Sequence, residues 1–318
     1  MKNSVRNFVR IIKEICSEEN IELKSFSYDW IFELRKGENY NYIIGYQFGL
    51  NSASVNSICC DKSAASEIMN DFNIPNVEHR FFMSPVNQKY VSDFGNWETL
   101  IEMLETNGQL VCKSNDGTGG NNVFHVKNQF ELEQAVFKIF QKSRSMAVSP
   151  YYEIENEYRT IVLNGMIKLI YSKQRPYIVG DGLHTVGSLI FDYLSNHEHE
   201  IHIEQVNNDD LMRILDSGEH FYLNWKHNLG QGANAKVIED EKIVKKISVI
   251  VNEVVTKMNV KFASIDIVEC KGEYKVLEIN SGVMMEHFSQ QDETSYQIAK
   301  SIYKEAILKM FDKGGSIF

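Results

Sequence analysis

The chain has 318 residues, 43% of them hydrophobic, with 33 basic and 43 acidic side chains and a formal charge of −10. That length predicts two or three compact subdomains rather than one core, and 18 Phe, 15 Tyr and 3 Trp exclude a disordered chain. The acidic balance, without a long Lys/Arg run, excludes a nucleic-acid backbone as partner. No stretch reaches the ~18 consecutive apolar residues of a membrane helix. The start, Met1-Lys-Asn-Ser-Val-Arg-Asn-Phe8, has no signal-peptide core, and Cys16, Cys59, Cys60, Cys112 and Cys270 form no C-x-x-C pair. Together they predict a reduced, cytoplasmic protein.

Val5, Phe8, Ile11, Ile12 and Ile15 recur at helical spacing and predict a helix over 4–18. Residues 30–34 and 42–48 flank Lys36-Gly-Glu-Asn39 and predict a hairpin. Asp61 caps a predicted helix reaching Phe72, with Ala64, Ala65, Ile68 and Met69 as its apolar set. A helix over 98–106, strands at 109–114 and 122–126, and a helix over 129–142 read as a small α+β unit. A second region starts near Ser149. In it, Asn164-Gly165 is a strong hairpin signal, and 186–195, 240–258 and 293–311 read as helices.

Between the last two helices, Phe262 to Ser281 reads as two strands around Lys271-Gly-Glu273. With a three-residue loop, Cys270 faces Tyr274, Asp266 faces Glu278 and Ser264 faces Asn280. Two carboxylates then lie on one face, about 5 Å apart at Cβ. Ile265, Ile267, Leu277 and Ile279 fill the other face. A two-residue loop would send the carboxylates to opposite faces. Like charges so placed repel, and a divalent cation between them removes that cost. With the Asn280 amide oxygen the donors are all hard oxygens, suited to Mg²⁺ held jointly with substrate phosphates, with Mn²⁺ as the alternative ion.

Asp116-Gly-Thr-Gly-Gly120 follows Lys113 closely. Gly117, Thr118, Gly119 and Gly120 would let backbone N–H groups approach phosphate oxygens. The loop is neither a Walker A loop nor a dinucleotide fingerprint, because no Gly-Lys-Ser/Thr follows and the next element reads as a strand. A plain hairpin tip has the same composition. Lys62 opens a helix, whose N-terminus favours anions. Lys113 ends the apolar strand Leu110-Val-Cys112. Both lysines are candidates for phosphate contacts. The histidine-rich stretch 197–202 reads as a solvated segment, since it lacks a matched distal ligand pair.

These segments, taken together, resemble the ATP-grasp superfamily, and within it the modules of cyanophycin synthetase and of bifunctional glutathione-synthesising enzymes. The matching stretches run in the family's order. They are Asp61-Lys62 with Asn73-Ile-Pro75, Val111-Cys-Lys113 through Val123, and Ser149-Pro-Tyr-Tyr-Glu-Ile-Glu-Asn-Glu-Tyr-Arg159. Then come Lys173-Gln-Arg-Pro through Val186, Asn228-Leu-Gly-Gln-Gly-Ala233, Ser264-Ile-Asp266 and Leu277-Glu-Ile-Asn280-Ser-Gly282. They cover residues 61 to about 288, a motif-level match.

The resemblance implies an α+β ATP-grasp fold, two α+β subdomains clasping ATP plus a small N-terminal α/β subdomain. Its expected segments are 1–60, 61–148 with the glycine-rich lid, and 149–318 with the catalytic and metal-binding groups. It implies that Lys62 and Lys113 hold ATP phosphates and that Ser149, Pro150, Tyr151 and Tyr152 line adenine, although Ser149 departs from the acidic residue often found there. It places Glu157 on ribose, and Asp266, Glu278 and Asn280 on Mg²⁺. It puts Lys173 near the transferred phosphate, with Arg175 two residues on as the alternative, and Asn228 near the acyl phosphate. The implied activity is an ATP- and Mg²⁺-dependent carboxylate–amine ligase acting on an amino acid or peptide, with neither nucleic acid nor membrane as partner and a homodimer as the common state. An ATP-grasp phosphotransferase and a non-catalytic nucleotide-binding regulator are the rival readings.

Overall fold

The computed structural model describes residues 5–90, 97–117, 119–196 and 201–312. Thr118 and residues 197–200 of the histidine-rich stretch lie outside them. The chain divides into two compact units, one of residues 1–170 and 238–318, the other of residues 171–237.

In the first unit, α1 (Asn7–Glu18) buries Phe8, Val9, Ile11, Ile12, Ile15 and Cys16 on one stripe. No local side chain caps it. The Glu286 carboxylate does so from 279 residues away, accepting the main-chain N–H groups of Asn7 (2.7 Å) and Phe8 (2.9 Å). Strands β1 (Glu22–Phe26), β2 (Ile31–Lys36) and β3 (Asn39–Ile44) form an antiparallel sheet in that order. The β2–β3 ladder is unbroken from Lys36↔Asn39 to Ile31↔Ile44, closed by the two-residue turn Gly37-Glu38.

Helix α2 (Ala53–Cys60), not expected from the sequence, precedes α3 (Lys62–Asp71). Asp61 caps α3 as expected, its carboxylate accepting the Ala64 N–H at 2.8 Å. Next come β4 (Arg80–Met83), α4 (Trp97–Asn107), β5 (Leu110–Ser114), β6 (Val123–Val126), α5 (Gln129–Phe140) and β7 (Ser145–Pro150). The four strands form a sheet ordered β4-β7-β5-β6, and α4 and α5 bury Leu104, Leu132 and Ile139 in a core shared with Cys112, Val126 and Met146. Strand β8 (Asn156–Leu163) turns at Asn164-Gly165 (φ 50° and 81°) into β9 (Met166–Gln174). The positive φ at both positions is what makes Asn-Gly the favoured pair there.

The second unit contains the end of β9, β10 (Tyr177–Val179), α6 (Val186–Ser195), β11 (His220–Tyr222) and β12 (Asn234–Val237). Its small core is Ile178, Val186, Ile190, Leu215 and Leu223. The Gly-Asp-Gly-Leu-His-Thr stretch at 180–185 is explained by local geometry. A Cβ on Gly180 would meet the Asp216 carbonyl at 2.2 Å, so only glycine fits that crossing. Asp181 accepts the N–H groups of Leu183 (2.9 Å) and His184 (2.8 Å), and Thr185 caps α6.

The chain returns to the first unit through α7 (Glu241–Lys257), β13 (Phe262–Cys270), β14 (Glu273–Asn280), α8 (Glu286–Ser289) and α9 (Glu293–Phe311). Within this unit the main sheet runs β9-β8-β13-β14. Ile265, Ile267, Val276 and Ile279 pack with Val251 and Val254 of α7 and Met69 of α3.

Candidate active site

The β13–β14 hairpin corrects the sequence reading and keeps its main consequence. Its loop has two residues, not three, so Cys270 pairs with Glu273 rather than Tyr274. Unbroken pairing would then separate the carboxylates. Instead the register shifts once: Ile267 faces Val276, Asp266 faces Glu278, and Leu277 is the extra residue of a β-bulge. Lys271 and Gly272 both have positive φ (51° and 76°), as a tight two-residue turn requires. The expected placement of Leu277 beside Ile265, Ile267 and Ile279 is also corrected. Leu277 packs against Val77, Val268 and Cys270, while Val276 takes the expected place in the core. The bulge reverses strand parity, so Asp266 and Glu278, and Ser264 and Asn280, lie opposite each other after all.

Asp266 is 1% exposed. Arg159, its partner across β8, donates Nε–H to Oδ1 and Nη2–H to Oδ2, both at 2.7 Å. This bidentate pairing is the strongest geometry for a buried carboxylate. Glu278 is half-buried and accepts the Asn280 Nδ2–H at 3.1 Å, which leaves the Asn280 amide oxygen directed away from that bond. Glu157 is buried on β8 opposite Val268, two residues along β13 on the same face as Asp266.

Lys113, at the end of β5, is 6% exposed. Its ammonium has no hydrogen bond or ion pair among the described residues. Burial pushes its pKa down from 10.5 to about 8; Glu278, Glu157 and Asp266 oppose that shift and Lys62 adds to it. Lys62 behaves differently. Its Nζ donates to the carbonyls of Gly117 (2.5 Å) and Asn115 (3.4 Å), so in this state it clips the glycine loop to α3. The first amides of α3 are likewise occupied, Ser63 N–H donating to Asn115 Oδ1 at 3.1 Å. The glycine loop itself needs its glycines: Gly119 and Gly120 have φ of 72° and 71°, and a Cβ on Gly117 would press on the Ser114 Cβ at 3.0 Å.

His79 joins this cluster and carried no sequence signal. It is buried, its pKa lies well below the usual value because of burial and then the charges of Lys113 and Lys62, and its Nε2 has no hydrogen-bond partner among the described residues. The segment expected to line adenine leaves β7 at Ser149, which pairs with Val111, and Pro150, which pairs with Leu110. Tyr151 stacks on His125 with ring centroids 3.8 Å apart, and Tyr152 packs near Leu277 and Val77 under Lys275, whose Nζ lies 5.2 Å from the ring centre.

In the second unit, Lys173 is buried and its carbonyl accepts from His227 Nδ1 at 2.7 Å, one residue before Asn228. Arg175 lies over the Tyr222 ring, 4.0 Å from its centre. The Asn228 side chain caps the short turn 229–231, accepting Gly230 N–H at 2.8 Å.

The charges of the first-unit cluster balance: Glu157, Asp266 and Glu278 against Lys62, Lys113 and Arg159. No group of three or more His, Cys, Asp or Glu side chains able to hold a metal occurs among the described residues. A divalent ion fits Asp266, Glu278 and Asn280 by donor chemistry, but alone it would leave two uncompensated positive charges beside a buried lysine. An ion here fits only together with an anion that brings its own oxygens and negative charge.

No family model matches the chain, and no curated protein sequence matches it. Among solved structures it is similar to a bifunctional glutathione synthetase from Pasteurella multocida, with a TM-score of 0.58 and 14% identity over 95% of this chain and 44% of that one. The chain thus spans less than half the length of that enzyme. It is also similar to D-alanine–D-alanine ligase from Bacillus anthracis, with a TM-score of 0.51 and 15% identity over 83% of this chain and 68% of that one. The same ligase complexed with ATP gives a TM-score of 0.50 at 15% identity, over 83% and 67% of the two chains. At these identities the likeness concerns the fold: the chain has the α+β ATP-grasp fold.

Proposed function

We propose that this chain is an ATP- and Mg²⁺-dependent carboxylate–amine ligase that joins an amino acid or peptide to an amine through an acyl phosphate. One observation supports the reading above the others. A bulge brings Asp266, Glu278 and Asn280 onto one face, beside a buried lysine with no hydrogen-bond or ion-pair partner among the described residues. Nothing in the stability of a hairpin calls for two facing carboxylates there. A metal-complexed triphosphate satisfies both halves of the cluster at once, its phosphate oxygens meeting Lys113 and its ion the carboxylates.

In this reading Asp266, Glu278 and Asn280 hold Mg²⁺, which when bound offsets charge on the phosphate oxygens. Lys113 binds the phosphates and regains the compensation that burial denies it. Lys62 releases the carbonyls of Asn115 and Gly117 to reach the phosphates, which frees the loop around Gly117, Gly119 and Gly120 to close as a lid and exclude water. Arg159 holds the Asp266 carboxylate in place through its two hydrogen bonds. Ser149 to Tyr152 lie along adenine and Glu157 binds ribose. The substrate carboxylate attacks the γ-phosphorus and ADP leaves. The amine then attacks the acyl carbon and phosphate leaves. Lys173, Arg175 and Asn228 are assigned to the phosphoryl and acyl groups by family resemblance alone. Segments 1–60, 61–148 and 149–318 serve as acceptor wall, lid and catalytic part. The protein is read as cytoplasmic.

The test is purified protein with ATP, Mg²⁺ and a panel of amino acids and dipeptides. Release of ADP together with phosphate, dependent on one class of compound, is the expected result. ADP release without phosphate would replace the ligase with a phosphotransferase.

A further inference from the structure

One cavity of the first unit lies apart from the charged cluster. It measures about 270 Å³, just below the roughly 300–1,000 Å³ of sites for drug-sized ligands, and so suits one amino-acid residue. It lies between the end of β3, the start of α2 and the open end of the β13–β14 hairpin. Phe262 forms one wall, and Ser281, the residue after Asn280, another. Strand parity puts Phe262 on the same face of β13 as Ser264 and Asp266, about 13 Å from Asp266 at about 3.3 Å per residue. Asn51 fixes this wall: its Nδ2 donates to the Phe262 carbonyl at 2.7 Å and its Oδ1 accepts the Lys261 N–H at 2.7 Å.

The chemistry of the lining is selective. No residue that lines the cavity is charged, so a charged group entering it would lose hydration without a counter-ion. Two side chains there, Gln47 and Asn56, are joined by a single hydrogen bond, Asn56 Nδ2 to Gln47 Oε1 at 3.1 Å. That leaves the Gln47 NH₂ as a donor and the Asn56 carbonyl as an acceptor, neither engaged among the described residues. Reversing both amides leaves one donor and one acceptor again, so the conclusion does not depend on which way they are turned. A donor and an acceptor side by side in an uncharged cavity match an amide, which offers one of each.

We propose that this cavity binds an uncharged amide group of the substrate, with the reacting end of that molecule directed toward Asn280. The proposal rests on the ligase reading for which end reacts, but not for the binding itself. The amide can come from a carboxamide side chain or from a peptide bond, and the experiment separates the two. Saturation-transfer NMR on the nucleotide-free protein would compare L-asparagine and L-glutamine, L-aspartate and L-glutamate, dialanine, and L-alanine. The expected result is transfer to a carboxamide amino acid or to dialanine, and none to the acidic amino acids or alanine. Which neutral amide responds identifies the source. Ala53→Phe, which fills the cavity, should abolish the signal. Gln47→Leu should weaken it about tenfold, the loss of one hydrogen bond. Cooperative melting of both variants is the control for folding. Equal transfer to the acidic and neutral partners, no transfer to any, or an unchanged signal in Ala53→Phe would overturn the proposal. The ligase reading is tested separately by ADP and phosphate release with the same compounds, so either can fail without the other.

Discussion

Two hairpins of the first unit, β2–β3 and β13–β14, share a two-residue turn and differ in one residue. In β2–β3 the ladder runs unbroken, and Phe32, Leu34 and Ile43 are buried while Tyr40, Tyr42 and Ile44 stay exposed. In β13–β14 Leu277 is added, and everything beyond it changes face. Without the bulge, Glu278 and Asn280 would point toward Ile265 and Ile267. With it they join Asp266. The turn therefore does not decide which face these carboxylates take; the bulge does, at the cost of local pairing.

The sharpest way to break this comparison is to remove Leu277. The deletion restores β2–β3-like pairing with Asp266 still opposite Glu278 and Ser264 still opposite Asn280, and removes only the contacts of Leu277 with Val77, Val268 and Cys270. The variant should therefore still melt cooperatively, destabilised by about 2–5 kcal/mol, and still bind Mg²⁺-nucleotide. If it melts cooperatively but no longer binds Mg²⁺-nucleotide, the facing of Asp266 and Glu278 is not what holds the ion. Of similar size is Arg159→Leu, which removes both guanidinium hydrogen bonds from the buried Asp266 carboxylate. It should cost about 3–5 kcal/mol in urea unfolding, whereas Arg35→Ala, at an exposed position of β2, should change stability by less than about 0.5 kcal/mol.

Glu278→Ala keeps the hairpin and removes one of the proposed ion ligands. Turnover should fall about 10²–10³-fold, with the ligand-free melting temperature little changed. The smallest of the four effects concerns Lys113. Its folded pKa, about 8, lies below its unfolded value, so the unfolded chain holds this proton more tightly. The group is destabilising below about pH 8, and stability should rise with pH from about 8 to 10.5. Lys113→Met should flatten that slope and stabilise the ligand-free protein at pH 7 by up to roughly 3 kcal/mol. The same change should abolish the rise in melting temperature given by Mg²⁺-ATP.

The sequence disclosed the long helices, the Asn164-Gly165 turn and the Asp61 cap, because each depends on local spacing or on a single residue's chemistry. It disclosed the facing of Asp266 and Glu278 through a loop length that proved wrong, corrected by a bulge not foreseen. The trace of that bulge was present: Tyr274 and Val276 keep one parity and Ile279 the other, with Leu277 between them. Helix α2 stayed hidden because Ser, Val, Asn and Cys are weak helix formers and its start rests on one Ser52 cap. Arg159 and His79 could not be assigned from sequence, since their surroundings come from β8 crossing β13 and from burial beside two lysines.

The central claim is that the carboxylate pair takes up its ion together with a nucleotide. Anomalous scattering from crystals soaked in Mn²⁺, with and without a non-hydrolysable ATP analogue, tests it most directly. A peak in contact with Asp266, Glu278 and Asn280 is expected when the analogue is present and none when it is absent. A peak elsewhere, or an ion seated between the two carboxylates without any nucleotide, would contradict it.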